Sequence, residues 1–99
     1  MGALPRTRNK NVIGQRLKEA RRKCNPPLTQ DQLSGKLATL GVLVDRVAIA
    51  KIEGGNRCVY DFELRGLARA LRIDVRWLLG LGDGRPRTEQ RSKQPRGRK

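Results

Sequence analysis

The sequence predicts an all-α protein: one compact domain of five short helices between two basic, flexible ends. Three observations carry that expectation. Apolar residues recur at three- and four-residue spacing from about residue 11 to about residue 81, the period of a buried helix face. No alternating strand pattern is longer than Val42-Leu43-Val44. The breaks between apolar stripes carry helix punctuation, with polar caps at starts and glycine or proline at stops.

The first helix is expected from about Asn11 to Lys23, with Asn11 as N-cap and Ile13, Leu17 and Ala20 as its apolar stripe. Pro26-Pro27 stops anything continuing from it, because proline lacks the amide proton and fixes φ. The second starts from Thr29 as N-cap, buries Leu33, Leu37 and Leu40, and leaves through Gly41, which tolerates a left-handed exit. The third starts from Asp45 as N-cap, buries Ile49 and Ile52, and ends at Gly54-Gly55. The fourth, capped by Asp61, buries Leu64, Leu67, Ala68 and Leu71. The fifth is short, about Val75 to Leu79, with Trp77 and Leu78 closing the core. Phe62, like Trp77, is assigned to a core segment.

Ninety-nine residues suffice for one domain with a thin core. Residues 1–10 form a basic arm containing Arg6, Arg8 and Lys10, and residues 11–81 form the helical domain. Residues 82–99 are rich in Gly, Pro, Arg and Lys, with too little to bury to offset ordering entropy, so a disordered tail is expected. Twenty-three Lys and Arg against nine Asp and Glu give a formal charge of +14, which favours a polyanionic partner. An anionic membrane surface would call for a basic amphipathic helix with aromatic anchors, and the chain has one Trp and one Phe. With no long apolar run and no secretory h-region, a cytoplasmic protein is expected.

Catalysis is not expected. The chain has no His, and Ser34 and Ser92 have no base. Asp31, Asp61 and Glu63 sit where they complement helix dipoles. Cys24 and Cys58 lack CxxC spacing, so no metal is expected, and both are read as buried or half-buried thiols. Gly80-Leu81-Gly82-Asp83-Gly84 follows a helix rather than a strand, which excludes a phosphate loop. No cofactor or small-molecule ligand is implied, and there is no length for a ligand-binding or self-cleaving domain.

The third helix has the layout of a DNA reader. Once Ile49 and Ile52 are given to the core, its remaining face is Arg46, Val47, Ala50 and Lys51. The major groove, about 12 Å wide, admits one helix. Arg46, in the first turn, can pair bidentately with guanine, Val47 can pack on a thymine methyl, and Lys51 can reach guanine or phosphate. The bland alternative is a solvated charged face.

The order and spacing of further residues resemble the Cro/repressor-type helix-turn-helix proteins, the Xre family, over about residues 12 to 80. The resemblance rests on Ile13-Gly14, Arg16-Leu17 and Ala20-Arg21, then Leu28-Thr29-Gln30 and Gln32-Leu33. It continues through Ile49, Ile52-Glu53, Gly55 and Arg57 to Leu67-Ala68-Arg69-Ala70-Leu71 and Trp77-Leu78-Leu79. It implies a lambda-repressor-like domain whose second and third helices form the reading unit. Arg46, Val47, Ala50 and Lys51 would then meet bases, and Thr29, Gln30, Asn56 and Arg57 would meet phosphate. Arg21 and Glu53 match a largely buried ion pair of architectural role, with Arg16 as the competing cation. The chain departs from the family in a longer stretch between Arg21 and Gln30, a longer link between Leu37 and Asp45, and Asp45 where Ser or Thr is common. An extra turn on the second helix is expected to absorb part of that link.

The expected partner is therefore double-stranded DNA, bound by a transcriptional regulator, a repressor, acting as a homodimer through the fifth helix and Leu79–Leu81. The family implies a nucleoid-associated protein of bacterial or phage origin. Arg6, Arg8 and Lys10 are candidate accessory DNA contacts, and the basic tail can add sequence-blind affinity through counterion release. Two other readings stay open: an antitoxin-like or anti-repressor module whose partner is a protein, and a non-specific nucleic-acid binder.

Overall fold

The structure, a computed structural model, describes residues 9–82. The expectations for Arg6, Arg8 and the tail beyond Gly82 lie outside these residues. Among the described residues there are five helices and no strand.

Helix α1 is Gly14–Arg22, so it starts two residues later than an Asn11 N-cap requires. Asn11 still satisfies its first free amides: its Oδ1 accepts from the backbone N–H groups of Ile13 (3.0 Å) and Gly14 (2.9 Å). The following connection contains a cis Asn25–Pro26 peptide and returns to the helix through Leu28 N–H, which donates to the Arg21 carbonyl at 3.1 Å.

Helix α2, Gln30–Thr39, begins with a reciprocal cap. Thr29 Oγ1 accepts from Gln32 N–H at 3.0 Å, and Gln32 Oε1 accepts from Thr29 N–H at 2.9 Å. The helix ends one residue before Leu40, which is therefore exposed rather than buried. Gly41, at φ +81°, turns the chain so that Val42 reaches the core instead. Helix α2 is ten residues long and stops at Thr39. The link through residues 40–45 absorbs the added length, with Val42 and Val44 buried and Leu43 exposed.

Helix α3, Arg46–Glu53, starts from Asp45, whose Oδ1 accepts from Ala48 N–H at 2.8 Å. Helix α4, Asp61–Leu71, has Tyr60 rather than Asp61 in the cap position, because Glu63 reaches back to accept from Tyr60 N–H at 3.0 Å. Its buried stripe includes Leu67, Ala68 and Leu71, while Leu64 is half-buried. Phe62 falls on the outer face, correcting its core assignment. It stacks on exposed Tyr60 with ring centroids 5.7 Å apart. Helix α5 is Val75–Leu78, with Asp74 as cap. Leu79 is half-buried and Leu81 exposed. Cys24 is half-buried as expected, but Cys58 is exposed.

Each helix gives the core at least one fully buried aliphatic: Leu17, Leu33 and Leu37, Ile49 and Ile52, Leu67, and Leu78. Each such side chain contributes about 1.5–3 kcal/mol of burial. Helix α3 packs on α1 and α2, and α4 packs on α1, α2 and α5. Trp77 is buried beneath the Arg16 guanidinium, which lies 6.0 Å from its ring. No helix among the described residues is long and apolar enough to cross a membrane.

The α1–α3 crossing is close enough to require glycine. A Cβ on Gly14 would stand 2.5 Å from the Ile52 carbonyl oxygen and 2.8 Å from that of Glu53. Gly35, on the exposed side of α2, faces open space. The same substitution should therefore have opposite signs at the two sites. Gly35→Ala is expected to raise stability by about 0.5–1 kcal/mol through helix propensity. Gly14→Ala, at the first position of α1, should lower it by about 1–3 kcal/mol through overpacking. Urea denaturation of both variants checks this.

Candidate nucleic-acid interface

Helix α3 is eight residues long, too short to hold its own orientation. Its last residue, Glu53, is fastened from two sides. Arg21 of α1 donates from Nε to Oε2 at 2.7 Å and from Nη2 to Oε1 at 3.0 Å. Gln30, the first residue of α2, donates from Nε2 to Glu53 Oε1 at 3.0 Å. Arg21 also donates from Nη1 to the Leu28 carbonyl at 2.8 Å, tying in the connection between α1 and α2. The side chains of Arg21 and Glu53 are 11% and 4% exposed, so this pair is buried. Arg16, the alternative cation, is engaged with Trp77 instead.

The chain leaves α3 through a Schellman turn. Gly55 N–H donates to the Ile52 carbonyl and Asn56 N–H to that of Lys51, with Gly55 at φ +79°. Asn11 grips this exit. Its Nδ2 donates to the carbonyls of Ile52 (3.1 Å) and Arg57 (2.8 Å) while its Oδ1 caps α1. Lys10 N–H adds a 2.7 Å bond to the Gly55 carbonyl, which places the last residue of the basic arm beside this loop. The sequence offered no sign of this second role for Asn11, since its partners lie 41 and 46 residues away.

With α3 held from behind, its outer face is Arg46, Val47, Ala50 and Lys51, all exposed. The ion pairs among the described residues engage Arg21, Lys23 and Arg57, and neither Arg46 nor Lys51. Val47 is 51% exposed, an apolar side chain with no share in the core.

The residues assigned to phosphate divide. Thr29 is exposed, and its hydroxyl accepts within the cap while its proton remains able to donate outward. Asn56 is exposed at the exit turn. Gln30 spends an amide proton on Glu53. Arg57 is largely committed: it donates from Nη1 to Glu63 Oε1 at 2.8 Å and from Nη2 to Oε2 at 3.0 Å, and Nη1 also reaches the Cys58 carbonyl. Glu63, placed in the sequence as a dipole-complementing residue, is the buried counter-ion of Arg57.

The Arg57 hydrogen bonds hold the Glu63 carboxyl below the usual glutamate range, outweighing the upward effect of burial, and the Tyr60 amide adds to the lowering. The same bonds raise the already high pKa of Arg57. A lowered folded-state pKa stabilises the fold fully above the unfolded value, and that contribution is lost as pH falls through the folded one. The stability lead of the native chain over Glu63→Gln should therefore be full above about pH 5 and shrink toward pH 3. Denaturant titrations across that range measure it. Breaking the other pair by Arg21→Met strands a buried carboxylate and should cost about 3–5 kcal/mol near neutral pH, read as a fall in denaturation midpoint.

Compared with protein-family models, curated proteins and solved structures, the chain matches none.

Proposed function

We propose that this chain is a sequence-specific double-stranded DNA-binding protein of the helix-turn-helix class with a lambda-repressor-like arrangement. It acts as a transcriptional repressor and places α3 in the major groove. The observation that carries this reading is the division of labour on α3. One face is fixed by core packing and a buried ion pair, while Arg46, Val47, Ala50 and Lys51 face outward with no intramolecular ionic partner among the described residues.

The chemistry of that face suits base edges. Arg46 occupies the first turn, the part of a recognition helix that meets bases, and a guanidinium matches guanine O6 and N7. Ala50 is small enough for close approach, and Val47 offers a methyl surface to thymine. Lys51, one turn on, reaches guanine or phosphate. Thr29, Lys10 and Asn56 supply backbone contacts on either side, with Gln30 and Arg57 as weaker contributors because of their internal partners. The six-residue link from 40 to 45 exceeds the three or four residues of a tight helix-turn-helix turn. Burial of Val42 and Val44 makes it a defined spacer between α2 and α3.

The chain is expected to bind as a dimer, with recognition helices about 34 Å apart on a two-fold site. Selection from a random duplex library, followed by affinity measurements at physiological salt, tests the proposal. The expected result is a palindromic winner bound at least about a thousandfold more tightly than scrambled DNA. Equal, steeply salt-dependent binding to both would overturn it and leave non-specific coating of nucleic acid.

A further inference from the structure

A second surface lies outside the α2–α3 unit. The outer side of α4 and the start of α5 border an open, shallow groove of about 560 Å³. Its floor is apolar, formed by Leu64, Ala68, Ile73 and Val75. Leu64 and Val75 are only half-buried, so part of this apolar surface is left to solvent. Arg65, Arg69 and Arg72 border it, against one carboxylate, Asp61, at the start of α4. The three arginines are exposed, and none belongs to an ion pair of the described residues.

We propose that this groove docks an acidic amphipathic helix of a partner protein. Three features select that occupant. Half-buried leucine and valine beside alanine and isoleucine give apolar anchors a place to lose water, which phosphate would not use. Three guanidiniums against one carboxylate leave the rim positive, so carboxylates flanking the anchors meet complementary charge. The same imbalance disfavours a second copy of this chain, which would bring its own three arginines to the contact. Helix α4 has 11 residues and spans roughly 16 Å, enough to receive anchors at i, i+3 or i+4, and i+7. Helix α3 packs on α1 and α2, so the groove is built from elements other than those behind the proposed reading face. The proposal holds whatever α3 binds.

The test uses the full chain and a synthetic peptide of about 15 residues, with leucines at that spacing and glutamates elsewhere. A scrambled peptide of the same composition controls for bulk attraction to a chain of charge +14. The ordered peptide should bind at least about tenfold more tightly than the scrambled one, with amide NMR shifts concentrated at Leu64, Ala68, Ile73 and Val75. Arg65→Glu with Arg69→Glu should weaken it about tenfold. Lys18→Glu with Lys36→Glu, the same charge change on exposed positions of α1 and α2, should leave the preference for the ordered peptide intact. Equal binding of both peptides, or shifts centred on α3, would overturn the proposal. So would self-association of the free chain that the α4 substitutions abolish, which assigns the groove to a second copy. Duplex DNA shifting these same amides would overturn it in favour of phosphate.

Discussion

A bidentate pair between Arg21 and Glu53 fixes how α3 sits against α1 and α2. It joins the last turn of α1 to the last residue of α3, and through Leu28 and Gln30 it also holds the entry to α2. Such a pair is not the most stabilising way to fill a core, because desolvation consumes much of the Coulomb attraction. Its value is directional. Leucine packing would tolerate rotation of α3 about its axis, whereas two parallel hydrogen bonds to one carboxylate do not. Asn11 and Lys10 repeat the restraint on the backbone around the α3 exit, at Ile52, Gly55 and Arg57. A short helix anchored at one end, and capped by Asp45 at the other, presents a fixed outer surface.

That anchoring sorts the positive charge into two populations. Arg21 and Arg57 are spent inward on Glu53 and Glu63, and their charges are compensated where they stand. Arg46 and Lys51 are left outward, beside Val47 and Ala50. Arginines with buried partners set geometry and add little to long-range attraction. The unpaired ones keep their full field and all their donors for an outside acceptor. Arg57 illustrates the difference, since a phosphate drawing on its guanidinium would have to share it with Glu63.

Much of this was legible in the sequence because its causes are local. Thr29 and Asp45 cap amides three residues ahead, and the glycines at 41 and 55 end helices within one turn, so α2 and α3 could be read nearly to the residue. Where the cause is distant in the chain, local spacing does not reveal it. Asn11 caps the first amides of α1 as its residue type implies, but the helix begins two residues later than that cap suggests, and the hold of Asn11 on the α3 exit depends on chain 41 to 46 residues away. Leu40 fits the spacing of the buried stripe, yet α2 ends at Thr39 and the stripe passes to Val42. Phe62 lies in a segment that supplies the core, but the face that α4 buries runs through Glu63, Leu67 and Leu71 and leaves the ring outside. The pairing of Arg57 with Glu63 leaves no local signature, because each residue type also suits another role at its position, one as a phosphate ligand and the other as a dipole partner.

The claim that α3 reads bases, rather than merely carrying charge, is most directly tested by repeating library selection with Arg46→Ala and comparing its preferred site with that of the native chain. A bidentate arginine–guanine contact is worth about 1–3 kcal/mol of discrimination. Preference should therefore be lost at one base pair in each half-site and retained at the others. An unchanged preference, or a uniform loss across the whole site, would show that Arg46 contributes only charge and that α3 does not read bases through it.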